Sequence, residues 1–151
     1  MIRSAFWLTL AVLSTVTLGF AAEQSRVDPL NKSQEGLAVK GYDVVSYFDE
    51  GKPVKGSEQF EYKWSGATWR FSTAAHRDAF AKDPERYAPQ YGSYCSFAVS
   101  RGKVAPINPA DWKIVNGKLY LNNGWLAQKM WLRDVPGNIE KADRNWPNIH
   151  Q

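Results

Sequence analysis

One cysteine and one histidine are the residues of this chain whose chemistry reaches beyond packing. Cys95 sits in the run Tyr91-Gly92-Ser93-Tyr94-Cys95-Ser96-Phe97 and is the single cysteine of 151 residues, so no internal disulfide can form. Glycine in such a run lets the backbone approach a partner closely, and the flanking aromatics shield the sulfur. Apolar shielding alone makes a thiol less reactive, so a functional Cys95 needs a nearby cation, a helix N-terminus or a metal. Arg101 and Lys103 follow it in the chain. His76 falls in a segment expected to be helical, where positions 75, 76, 79, 80 and 83 share one face. Ala75, Ala79 and Phe80 make that face apolar, with His76 inside it. His76 is then either a hydrogen-bonded interior histidine or a ligand or proton donor aimed at Cys95. A neutral imidazole and a thiolate together suit zinc or copper. Met130 is a soft third ligand or, more simply, a gap-filling core residue.

Spacing alone leaves three states open for Cys95: inert and buried, redox-active, or metal-ligating. The sequence shows no Cys-x-x-Cys, no His-x-x-x-His, no nucleophile elbow, no phosphate loop and no pair of catalytic carboxylates. No reaction is therefore specified. The tryptophans and tyrosines could line a sugar or cation site, but hairpin and core packing accounts for them more economically.

The elements that must position these residues are legible from pattern. Residues 60–64 and 68–71 alternate aromatic and polar around Ser65-Gly66-Ala67, which predicts a hairpin. Ser72 or Thr73 caps a helix running to about Lys82, and Asp83-Pro84 closes it. A second hairpin is predicted for 112–115 and 118–121 around Asn116-Gly117. Residues 41–48 are a strand or one to two helical turns capped by Asp43, residues 88–94 a loop, and residues 95–100 either strand or helix. Helices are expected over 125–133 and over 138–146, the latter with Ile139, Ala142 and Trp146 on one face. Hairpins and helices come in separate blocks without βαβ alternation, so the class is α+β: a small single domain of antiparallel β-hairpins and several short helices. Trp69 and Phe71 alternate on the strand leading into the helix and are expected to stabilise the core rather than serve a ligand.

The N-terminus reads as an export signal. Arg3 precedes an apolar run from Ala5 to Leu18, and Gly19-Phe20-Ala21 offers small residues at a cleavage site. The expected organisation is a signal peptide over 1–21, an extended lead-in over 22–40 and a domain over 41–151, periplasmic or secreted, with no membrane anchor after cleavage. Cleavage removes one Arg and no acid, which lowers the formal charge from +4 to +3. No basic stripe is visible, which argues against nucleic acid as a partner.

The chain resembles the YHS domain family, in particular an exported branch that includes selenoproteins. The residues carrying the resemblance are GYDVVSYF at 41–48, WSGATWRFS at 64–72, FAKDPERYAPQYG at 80–92 with Tyr94-Cys95, GKLYLN at 117–122 and ADRNWP at 142–147. The resemblance implies a small α+β module related to treble-clef-like metal-binding domains. Metal-binding YHS domains carry two cysteines where this chain has Ser72 and His76, so His76 alone of that pair keeps ligand capacity. Some members of the exported branch carry selenocysteine where this chain has Cys95, which implies redox or soft-metal chemistry there. The branch usually shows glycine at the position of Ser93. The readings that follow are a binding module holding a soft metal ion, copper or zinc, through Cys95 with His76 as second ligand; a thiol redox protein with Cys95 as catalytic nucleophile and an external thiol partner; or a structural or interaction protein with an inert cysteine.

Overall fold

The computed structural model describes residues 27–149; the expected signal peptide lies outside them. Two hairpins and a set of short helices follow the sequence pattern closely. Strands β3 (Ser57–Trp64) and β4 (Ala67–Phe71) pair antiparallel with Tyr62 opposite Trp69. Strands β5 (Asn108–Val115) and β6 (Lys118–Asn122) do the same with Lys113 opposite Tyr120. Both two-residue connections take positive φ at both positions, Ser65 and Gly66 in one, Asn116 and Gly117 in the other. That backbone matches the right-handed twist of the strands it joins. A third, minimal sheet pairs β1 (Tyr42–Asp43) with β2 (Val54–Lys55), and helix α1 (Ser46–Asp49) lies between them in sequence. The segment 41–48 is thus strand and helical turn in succession. Six helices and three antiparallel two-stranded sheets make an α+β domain.

The first core forms where β4 meets helix α2 (Ala74–Lys82). Ala67, Trp69 and Phe71 alternate inward along β4. Phe80 of α2 receives them, with ring centroids 4.8 Å from Trp69, 5.1 Å from Phe71 and 5.8 Å from Trp64. Trp69 and Phe71 are thus packing residues, and Trp69 Nε1 donates to the Trp64 carbonyl at 3.0 Å. Ala75, in contrast to its expected place on the buried face, is exposed: the helix contacts the core through Phe80 and the half-buried Ala79 alone. Asp83 ends α2, and Pro84 starts the short helix α3 (Pro84–Tyr87), a position where its missing N–H costs nothing.

The second core lies under the C-terminal half. Helix α4 (Ser96–Ser100) packs along α6 (Val135–Ile149), and α5 (Trp125–Leu132) inserts Trp131 against Tyr120 at a centroid distance of 5.3 Å. Ala142 is fully buried, with Ile139 and Trp146 packed beside it, as the helical spacing predicts. Helix α6 is longer than its apolar pattern. Pro136 sits in its first turn, where no donor is needed, and Pro147 falls in its last turn.

Residues 27–40 are extended and packed. Thr68 N donates to Gly36 O at 2.9 Å and Ala38 N to Thr68 O at 3.0 Å, so this segment covers the free edge of β4 while Leu30, Ala38 and Val39 enter the core. Two short turns run through the left-handed region: Val39, Lys40 and Gly41, then Tyr91, Gly92 and Ser93. A Cβ on Gly92 would strike the Pro29 carbonyl. The partner that this glycine admits is the chain's own lead-in, and Asn31 N donates to Gly92 O at 2.7 Å.

Candidate functional site

Asp43 organises the polar centre of the first core. It is fully buried and accepts five hydrogen bonds. Its Oδ1 takes the backbone N–H groups of Val45 at 2.9 Å and Ser46 at 3.3 Å, which caps α1. Its Oδ2 takes Ser72 N at 2.8 Å, Ser72 Oγ at 2.7 Å and His76 Nδ1 at 2.7 Å. A buried carboxylate survives only when its lone pairs are occupied in this way.

Helix α2 delivers His76 to that carboxylate because Thr73 caps the helix, its Oγ1 accepting from His76 N at 3.1 Å. The first turn is thereby fixed with residue 76 facing β1. Asp43 accepts, so Nδ1 is the nitrogen that carries the proton, and Nε2 of a neutral His76 presents a lone pair. That nitrogen lies 3.7 Å from Asp49 Oδ2 on α1. The His76 side chain is 14% exposed and that of Asp49 57%, so the pair opens onto solvent.

Cys95 occupies a different centre. It precedes α4 as its N-cap residue and is 2% exposed. Its backbone N donates to Ala105 O at 3.0 Å, and its Sγ donates to Asn122 Oδ1 at 3.6 Å. Asn122 is itself fully buried: Oδ1 also accepts from Phe97 N at 2.9 Å, and Nδ2 donates to Gln128 Oε1 at 2.7 Å. Gln128 in turn donates to the Trp112 carbonyl at 2.9 Å, closing the network inside the protein. The polar partners of His76 are thus Asp43 and Asp49, and that of the Cys95 sulfur is Asn122; among the described residues no hydrogen bond joins His76 to Cys95. Met130 Sδ is contacted by Arg133 Nη1 at 3.2 Å on α5.

Asp43, Asp49 and Asn122 are the site residues that sequence reasoning missed. Asp43 was visible as a helix cap, and a lone acid inside the apolar run 41–48 was the available signal for more. Asp49 and Asn122 carry no such mark. Among the described residues no group of three or more His, Cys, Asp or Glu is placed to hold a metal ion, and no helix is long and apolar enough to cross a membrane.

Comparison with known proteins gives one match. Residues 45–91, just under a third of the chain, match the model of the YHS domain. This stretch contains Asp49, Ser72 and His76 and stops short of Cys95. No curated protein and no solved structure gives a match.

Proposed function

We propose that this protein is an exported metal-binding module in which His76 Nε2 and Asp49 hold a borderline divalent ion, zinc or copper(II), at the protein surface. The observation that carries the reading is the 2.7 Å contact between Asp43 and His76 Nδ1. A carboxylate on the far nitrogen of a ligating histidine fixes its tautomer and ring orientation and raises its basicity. The donor spacing suits an ion. Two donors at bond lengths of about 2.0–2.2 Å and a tetrahedral angle lie about 3.4 Å apart, and His76 Nε2 and Asp49 Oδ2 are 3.7 Å apart. Solvent or an incoming molecule would complete the coordination. The match to the YHS domain over 45–91 supports a metal role for this half of the chain. The export signal over 1–21 supports an extracytoplasmic place of action.

The donor types decide the metal. Imidazole and carboxylate favour zinc or copper(II) over a soft ion that prefers thiolate. Ser72 and His76, at the positions of the family's two cysteines, both bond Asp43 Oδ2, so the inward half of the pair is satisfied by a carboxylate. Copper(I) binding or thiol redox at Cys95 has less in its favour. The sulfur donates its proton to Asn122, and ligation or nucleophilic attack requires that proton gone and the sulfur reachable.

Calorimetric titration of the chain lacking residues 1–21 with zinc and copper(II) tests the reading. One bound ion is expected, with affinity at least tenfold weaker in His76→Ala and unchanged in Cys95→Ser. Loss of binding in Cys95→Ser but not in His76→Ala would move the site to the cysteine and overturn this assignment.

A further inference from the structure

Helix α5 turns an apolar and basic stripe to solvent. Trp125 is 71% exposed, Leu126 56% and Leu132 44%; these are three of the four exposed large hydrophobic residues among the described ones. Lys129 and Arg133 are exposed beside them. Offsets of 1, 4, 7 and 8 from Trp125 fall on one side of a helix of 3.6 residues per turn, so the five residues form a single stripe. The opposite side is fully used: Trp131 is buried in the second core, Ala127 packs on the first, and Gln128 bonds Asn122 and Trp112. Nothing about the fold requires the outward residues to be apolar.

The stripe carries no acid. Lys129 Nζ stands 6.0 Å from the Trp125 ring centroid, and Arg133 lies along the helix against Met130. The next acid, Asp134, turns its Oδ1 to Gly137 N at 3.0 Å. Tryptophan, leucine and flanking cations on a helix face are the composition that lies in a bilayer interface, with rings and aliphatic chains among the acyl ends and cations at the headgroups.

We propose that the outward face of α5 docks the domain reversibly on an anionic lipid bilayer. Charge complementarity selects the surface: two cations with no counter-ion on the helix favour anionic headgroups, and the tryptophan supplies the interfacial anchor. Eight residues with three apolar contacts give a weak, salt-dependent attachment that lets the domain leave the membrane. The proposal is independent of the metal site, which lies on α1 and α2.

Co-sedimentation of the chain lacking residues 1–21 with vesicles tests it, with tryptophan emission followed in parallel. Binding is expected on phosphatidylcholine mixed with phosphatidylglycerol and not on phosphatidylcholine alone. A basic residue near an anionic surface contributes about 1 kcal/mol, so Lys129→Gln with Arg133→Gln should weaken binding about thirty-fold. Raised salt should act in the same direction. Trp125→Ala with Leu126→Ala should abolish binding and the blue shift of emission. All four positions are exposed, so circular dichroism should show the fold intact, and His76→Ala should bind vesicles like the parent. Absence of binding, equal binding to both vesicle types, or binding indifferent to both double variants would overturn the proposal. So would a concentration-dependent dimer in the ultracentrifuge that Trp125→Ala with Leu126→Ala dissolves, because the stripe would then belong to a second copy of the chain.

Discussion

Two buried polar centres hold this domain together, and they end differently. Asp43 gathers α1, β4 and α2 onto one carboxylate, and the last residue it fixes is a histidine whose second nitrogen faces solvent and Asp49. Asn122 gathers β6, the start of α4 and α5 onto one amide, and its chain of bonds ends on the Trp112 carbonyl. The first centre is ionic and open at one end; the second is neutral and closed. An open end can act on something outside the protein, whereas a closed one only maintains shape. By this criterion His76 belongs to function and Cys95 to structure.

Breaking the first centre should cost most. Asp43→Ala orphans five donors, among them the side chains of Ser72 and His76, and should destabilise the domain by about 3–5 kcal/mol. Denaturant unfolding checks this; a loss under about 1 kcal/mol would show that water satisfies the donors and that the centre is less buried than the structure has it.

High pH should weaken the protein next. Burial raises Tyr91 well above the usual phenol range, aided by its hydrogen bond to Asp143. Burial likewise raises Tyr47, Tyr94 and Tyr120. A phenol raised in the folded state contributes stability that is complete below its unfolded value of about 10 and is lost as pH climbs from there through the folded value. Stability should therefore hold up to about pH 10 and fall above it. Three of the four phenols, Tyr91, Tyr94 and Tyr120, border the second core. Tyr91→Phe should make the fall shallower; an unchanged alkaline profile would remove Tyr91 from the linkage.

Breaking the second centre should cost less than the first. Asn122→Ala leaves Phe97 N and Gln128 without their partner and should destabilise by about 2 kcal/mol, with metal and vesicle binding retained. A loss as large as that of Asp43→Ala would erase the contrast between an ionic and a neutral centre.

The smallest effect has the opposite sign. Ser93 holds φ at 62°, and its buried Oγ has no hydrogen-bond partner. Glycine adopts this backbone without strain and has no hydroxyl to satisfy, at the cost of a looser unfolded chain. Ser93→Gly should raise stability by about 1 kcal/mol. A decrease would mean that the serine Oγ finds a partner in solution.

The sequence by itself determined whatever depends on near neighbours. Asn116-Gly117 and Ser65-Gly66 impose their turns through the φ values that two adjacent residues can adopt, and Thr73 caps α2 through an N–H three residues on. Alternation along β4 placed Trp69 and Phe71 inside, because side chains of a strand point to opposite faces in turn. The tertiary structure decided what distant residues do to one another. Asp43 meets Ser72 and His76 across 29 and 33 positions, and Cys95 meets Asn122 across 27. Nothing local in residue 76 says whether its ring turns to a cysteine or to a carboxylate. Residues 95–100 could be strand or helix by pattern, and packing against α6 made them a helix with Cys95 at its start. Hydrogen bonds to a buried group are short-ranged and depend on direction, so the pairing of the two centres became defined only when the cores closed around them.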